Sequence, residues 1–222
     1  MNERPSRDEI EAGQRAYTPF VLRAYDLFVL GFSNRFVWRC RSSNMLARYD
    51  RYVGPRHLDV GVGTGWFLDR CRWPVETPDV TLLDLNENAL STASQRLRRY
   101  APATVHANVL DPVELGSSRF ESIAANYLFH CLPRGLDWKS ATVALNLRPY
   151  LEPGGVLFGS TILGRGVSHN FLGRRLMRLY NRKGIFSNLE DDRQGLEHGL
   201  ASQLTDVTVE VVGTVALFAG RA

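Results

Sequence analysis

The stretch H57-L-D-V-G-V-G-T-G-W-F-L-D-R70 decides the fold. An apolar run ends in glycines at 61, 63 and 65, and WFLDR then opens a helical pattern. Glycine-rich turns after a strand cradle nucleotide cofactors, and in an open parallel sheet ligands sit beyond the carboxyl ends of the strands, at the switch point. The dinucleotide fingerprint G-x-G-x-x-G asks for a third glycine where the helix must pack closely on the strand. Gly61 and Gly63 fit that register, but the third position is Trp66, which counts against a nicotinamide-dependent oxidoreductase. The pattern here is Asp59-x-Gly61-x-Gly63-x-Gly65, with an acid two residues before the first glycine.

Working outward, strands and helices alternate. VTLLDL (80–85), TVHA (104–107), SIAAN (122–126) and VLFGST (156–161) read as short apolar strands. NENALSTASQRLRRY is a helix capped by Asn86, with Leu90 and Leu97 on its apolar face. DWKSATVALNLRPYL is a helix that Asp137 could cap, stopped by the turn residues EPGG. Such alternation indicates βαβ crossovers and a parallel sheet. The tail differs: LEHGLASQL is helical, and VTVEVVGTVALFA holds two strands split at Gly213, which can only lie antiparallel. The expected fold is therefore α/β, Rossmann-like and mostly parallel, with an antiparallel C-terminal hairpin. Asp84 ends the second strand, nineteen residues beyond Gly65. A carboxylate there can accept hydrogen bonds from both hydroxyls of a ribose; its plainer role is to hold a turn.

The bulk properties fit one globular domain: 222 residues, 44% hydrophobic and 23% charged. The formal net charge is +4, and the positive charge is almost wholly arginine, lysine standing only at 139 and 183. Cys40, Cys71 and Cys131 form no C-x-x-C pair, so neither a disulfide framework nor a metal site is expected. A reducing, cytoplasmic setting follows from that usage. The N-terminus lacks the apolar core of a secretory signal, and Arg23, Asp26 and Arg35 interrupt the apolar run from Tyr17 to Trp38 too often for a membrane span.

Taken together, LDVGVGTG, LLDLNENAL, ANVLDP, FESIAANYLFHCL and LEPGGVLFGST resemble, in order and spacing, the motifs of the class I S-adenosylmethionine-dependent methyltransferases. The resemblance covers Pro55 to Thr161 and implies a seven-stranded sheet with a helical cap. It divides a single domain into a helical lid (1–50), a cofactor-binding core (51–161), a cap insertion (162–190) and a C-terminal helix and hairpin (191–222). It also implies roles. Gly61, Gly63 and Gly65 let backbone approach the methionine part of the cofactor. Asp59 helps hold its amino group, and Asp84, with Leu85 beside it, binds the ribose. Asn108 stands where the family often has an aspartate reaching the adenine amino group, and Val109 and Leu110 flank the ring. Asn126 lies near the transferring methyl. Tyr25 or Tyr17 could contact the cofactor, as N-terminal tyrosines do in some small-molecule members.

The acceptor chemistry is read more coarsely. His130, four residues after Asn126, is the first candidate for a general base, its other role being packing under a loop. His169, in the cap segment, is the second. His57, His106 and His198 fall in or beside core elements. No partner is visible for a Cys131/His130 nucleophile. Val21, Tyr25, Phe28, Phe32 and Phe36 recur along an N-terminal helix that Gly31 and Ser33-Asn34 should break. This aromatic face suits a small, apolar, planar acceptor under a lid, and equally a simple core. In the segment 162–188, Leu172, Leu176 and Leu179 or Tyr180 are expected to face inward, with Arg174, Arg175, Arg178 and Arg182 on a solvated face. The expected activity is methylation of a small molecule, with O-methylation leading. N- or S-methylation, an RNA or protein substrate and a non-catalytic cofactor-binding protein are the rivals. Neither nucleic acid nor membrane is an expected partner.

Overall fold

A computed structural model of the chain describes residues 26–222. The roles of Tyr17, Val21 and Tyr25 lie outside the described residues. Two helices come first, a π-helical α1 (Asp26–Val37) and α2 (Ser42–Tyr52). The sheet is built from β1 (Arg56–Val60), β2 (Asp79–Asp84), β3 (Ala103–His106), β4 (Phe120–Asn126), β5 (Leu151–Ile162), β6 (Thr205–Val212) and β7 (Val215–Arg221). Between them run α3 (Trp66–Arg70), α4 (Glu87–Arg96), α5 (Leu136–Leu147), α6 (Phe171–Arg182) and α7 (Arg193–Ala201). No helix among the described residues is long and apolar enough to cross a membrane.

The strand order is β3-β2-β1-β4-β5-β7-β6. β1 to β5 run parallel, and β7 pairs antiparallel with both β5 and β6. The chain leaves β1 toward β2 and β3, then crosses back to β4 on the other side. That reversal opens a crevice at the carboxyl ends of β1 and β4. Both faces of the sheet are covered. Met45, Tyr49, Phe67, Leu68, Leu90 and Leu97 pack one face against Leu82 and Phe158. Val143, Leu147, Leu196 and Leu200 pack the other against Leu58, Ile123, Leu157 and Phe218. Successive residues of a strand point to opposite faces. The residues Leu58 and Val60 thus enter one core, and the polar pair His57 and Asp59 enters the other, where it needs partners.

Several local expectations are corrected. Asn86 does cap α4, its side chain accepting from Asn88 N and Ala89 N at 3.0 and 3.2 Å. Asp137, in contrast, sits inside the first turn of α5, whose cap position is Gly135. Pro149 ends α5 earlier than EPGG does, through a tight turn over Arg148–Tyr150. EPGG is then a bulge inside β5: the pairing slips from Phe120↔Leu151 to Ser122↔Val156. Helix α1 runs through Gly31 and Ser33-Asn34 without a break, with Ser33 and Asn34 buried and Phe32 and Phe36 exposed. The wider i→i+5 winding turns an α-spaced stripe off its face, and the inward Asn34 amide has a partner: it donates to Ser42 Oγ at 2.9 Å. In α6 Leu176 and Tyr180 pack half-buried against the core as expected, beside the buried Gly173 and Met177, and only Leu172 departs, being exposed.

Candidate active site

The turn after β1 is built on left-handed backbone at Gly61, Gly63 and Gly65. Two of them do different work. A Cβ on Gly63 would meet nothing within 4 Å, so this backbone borders open space. A Cβ on Gly65 would lie 3.2 Å from both Ala93 Cβ and Leu97 Cδ1, so Gly65 lets the turn and α3 settle on α4. The close packing that the dinucleotide fingerprint assigns to its third glycine is thus supplied one residue before Trp66.

A cleft opens beside Gly61 and Gly63 and is lined further by Asp84, Leu85, Asn108, Val109 and Asn126. A smaller recess holding Tyr49, Asp59, Thr64 and Trp66 joins it at Gly61, Gly63, Asn126 and Tyr127. The structure therefore brings most of the residues expected around a cofactor to one continuous opening. Gly65 and Leu110 are not among its walls. Leu110 is buried, and its N–H donates to Asn108 Oδ1 at 3.1 Å. Asn108 also donates from Nδ2 to Asp111 at 2.9 Å, which fixes its amide.

Asp84 Oδ1 accepts from Asn86 N at 2.8 Å. Burial raises its carboxyl to a pKa of about 6, against the pull of the backbone N–H groups of Asn86, Gly63 and Leu85. Asp59 is buried, and its Oδ2 accepts from the Tyr49 hydroxyl at 2.8 Å. His57 Nε2 lies 3.6 Å from the same oxygen, while His57 Nδ1 meets Ser122 Oγ at 2.7 Å. Tyr49 stacks on Phe67 with centroids 5.3 Å apart, and burial, then the Asp59 charge, pushes its phenol well above its ordinary range. The sequence reading missed Tyr49. The i,i+4 pair Met45/Tyr49 on α2 would have placed it inward, but not against Asp59.

At the end of β4, Ser160 Oγ donates to Asn126 Oδ1 at 2.6 Å and accepts from Tyr127 N at 3.3 Å. Tyr127 N donates mainly to Ser160 O at 2.8 Å, and the hydroxyl gives its single proton to Asn126. The Asn126 amide is thereby oriented with Oδ1 engaged. Tyr127 has φ +55°, a backbone state rare for a bulky residue and frequent at functional sites. Its hydroxyl donates to Asn34 Oδ1 at 2.9 Å, tying the opening to α1. No local sequence signal marks this pair, 93 positions apart.

The two histidines expected near the acceptor stand elsewhere. His130 is buried, edge-on to the Phe186 ring at 4.5 Å, and is not part of the wall. Burial, and then the Lys139 charge, lowers its pKa to about 3. Of its two readings, the geometry fits packing. His169 donates from Nε2 to Leu163 O at 2.9 Å and packs edge-on to Trp38. Burial, followed by the Arg39 and Arg174 charges, lowers its pKa too. Cys131 does line the cleft. Behind it lies an ion pair that the sequence reading also missed: Lys139 Nζ is 2.7 Å from Asp191 Oδ2, both side chains fully or nearly buried. Lys139 also donates to Leu132 O and Ser187 O at 3.2 and 2.8 Å. Asp191 is raised to about 6, burial outweighing the attraction of Lys139.

Comparison with known proteins supplies the remaining evidence. A family model described as a methyltransferase domain matches residues 58–157. The demethylluteothin O-methyltransferase of Streptomyces thioluteus is 37% identical over 206 residues, covering 93% of this chain and 89% of that protein. The methyltransferase aurB of Calcarisporium arbuscula is 37% identical over 225 residues, covering 94% and 96%. Among solved structures, human N-acetylserotonin methyltransferase in complex with S-adenosylmethionine superposes with a TM-score of 0.65 at 17% identity, over 98% of this chain and 60% of that one. This last likeness speaks to the fold.

Proposed function

This chain belongs to the class I S-adenosylmethionine-dependent methyltransferases, and from that premise we propose that it methylates a self-ionising hydroxyl, a phenol or an enol, on a small apolar acceptor. Similarity to an O-methyltransferase supports oxygen as the accepting atom. The observation that narrows it is the junction of cleft and recess at Gly61, Gly63, Asn126 and Tyr127: no histidine lines it, and His130, edge-on behind Tyr127 at 5.5 Å, is barely basic. A hydroxyl methylated there has to ionise largely by itself.

The residues fit the cofactor. The open space beside Gly63 admits close approach to backbone, and the Asp84 carboxylate has acceptor capacity beyond its bond to Asn86. When bound, S-adenosylmethionine supplies a sulfonium methyl open to in-line displacement. In this reading Asp84 accepts from the ribose hydroxyls, and Leu85, Asn108 and Val109 border the adenine. Asp59, braced by Tyr49, holds the amino group. Asn126 presents N–H donors toward the opening, because Ser160 holds its Oδ1. Donors aimed at a forming oxyanion favour the ionised acceptor. Tyr127 and the parts of α1 it anchors position that acceptor and keep water out.

The test is an acceptor panel of phenols, enols, aliphatic alcohols, amines and thiols, read by mass spectrometry of product and S-adenosylhomocysteine. Phenols or enols should be methylated, with rates rising through each acceptor's own pKa. Preferential methylation of amines, thiols or aliphatic alcohols would overturn the proposal.

A further inference from the structure

The face where α1 meets α6 has features that methyl transfer does not use. The two helices are tied together there: Asn170 Nδ2 donates to Phe36 O at 2.7 Å, and Arg39 donates to Ser168 O. Around this seam three apolar side chains stand in solvent, Phe36 at 51%, Phe171 at 66% and Leu172 at 45% exposure. Beyond Asp26 at the start of α1, the charge on the described residues of these two helices is of one sign. There is no carboxylate in residues 27–49 or 153–189. On α6, Phe171, Arg175, Arg178 and Arg182 follow the i, i+4, i+7, i+11 spacing that puts them on one outward ridge, opposite the buried Gly173 and Met177. Arg35 and Arg39 extend the exposed basic surface on the α1 side, the Arg35 guanidinium lying 5.2 Å from the Phe36 ring centre. None of Arg174, Arg175, Arg178 and Arg182 is in an ion pair among the described residues.

We propose that this face is a docking surface for an anionic lipid bilayer. Unneutralised arginines are drawn to the negative potential of such a surface, and protruding phenylalanine and leucine side chains gain by entering the headgroup boundary. A second copy of the chain is a poor occupant, because a two-fold contact would set arginine against arginine. Nucleic acid would use the arginines but has little use for an exposed leucine. The sequence alone leaves this surface as a solvated basic face; the seam with α1, which brings Phe36 beside it, is what the structure adds. Docking here would hold the enzyme on the phase in which the apolar acceptor of the proposed function is concentrated.

The experiment is co-sedimentation of the full chain with phosphatidylcholine vesicles, with and without phosphatidylglycerol. Binding is expected only to the anionic vesicles and should disappear in high salt. Arg175→Glu/Arg178→Glu should weaken it, by roughly fivefold or more for each arginine. Phe171→Ser should weaken it while leaving the salt dependence in place. All variants should keep wild-type affinity for S-adenosylhomocysteine, which reports an intact fold. Equal binding to both vesicle types, no binding to either, or binding that the variants leave unchanged would overturn the proposal. So would retention on single-stranded RNA in preference to anionic vesicles at equal salt.

Discussion

Asp84 and His130 carry opposite expectations about pH. Burial holds the Asp84 carboxyl near pKa 6, above its ordinary value. A carboxyl raised on folding favours the folded apo-protein at low pH, and that contribution is lost as pH rises through about 6. Ribose hydroxyls favour the ionised form, so they reverse the cost. Affinity for S-adenosylhomocysteine should therefore climb between pH 5 and 7 and then level off. Asp84→Asn should flatten that slope and weaken binding by roughly tenfold or more, since hydrogen bonds to a charged acceptor contribute about 1.5–3 kcal/mol. Calorimetric titration across pH checks both; an unchanged slope in the variant would remove Asp84 as the ribose ligand. His130, near pKa 3, is neutral across the same range. His130→Gln should leave cofactor affinity and the shape of the pH–rate profile intact. Loss of a true base would cost about 10²–10⁴-fold in turnover, and a fall of that size would put His130 back into the chemistry.

Among the elements, the glycine turn and the loops behind the cleft divide stability from binding. Gly65 meets α4, whereas Gly63 borders the opening. Both have positive φ, so alanine at either should cost about 1–2 kcal/mol of backbone strain. Only Gly63→Ala should also weaken S-adenosylhomocysteine binding strongly, its Cβ intruding where the cofactor is expected. Equal losses of affinity would mean that the two glycines share one role. The Lys139–Asp191 pair joins α5 to the loops after β4 and α6. Lys139→Met strands a buried carboxylate and should cost about 3–5 kcal/mol in urea unfolding. Because Lys139 holds the Asp191 carboxyl down to about 6, its loss pushes that carboxyl higher, so the cost should shrink as pH falls toward about 6. Replacing both partners, as Lys139→Met/Asp191→Leu, should restore most of the loss; a double variant as weak as the single would mean that the pair contributes more than charge balance.

Across the whole molecule, the motifs that lie at strand ends were legible because each is local. Asp59, the glycines, Asp84 and Asn126 sit within a few residues of a strand terminus, and a parallel sheet gathers those termini at one edge. What was not legible joins distant segments. Tyr49 meets Asp59 across α2 and β1, Lys139 meets Asp191, and Tyr127 meets Asn34, each set by the packing of elements rather than by spacing. His130 is a further case: its distance from Asn126 along the chain gives no sign that its ring packs edge-on against Tyr127 and Phe186. This division predicts how a ligand should be felt. If the opening at the β1/β4 crevice is the cofactor site, adding S-adenosylhomocysteine should slow amide hydrogen exchange in four separate stretches, around residues 61–65, 84–89, 107–109 and 126–132. These stretches are separate in sequence, and each contributes residues to the wall of the opening. The β6–β7 hairpin, at the far edge of the sheet, should exchange at its unliganded rate. Slowing confined to one stretch would break the opening into unrelated pockets. Slowing spread evenly over the chain would report global stabilisation instead of a site.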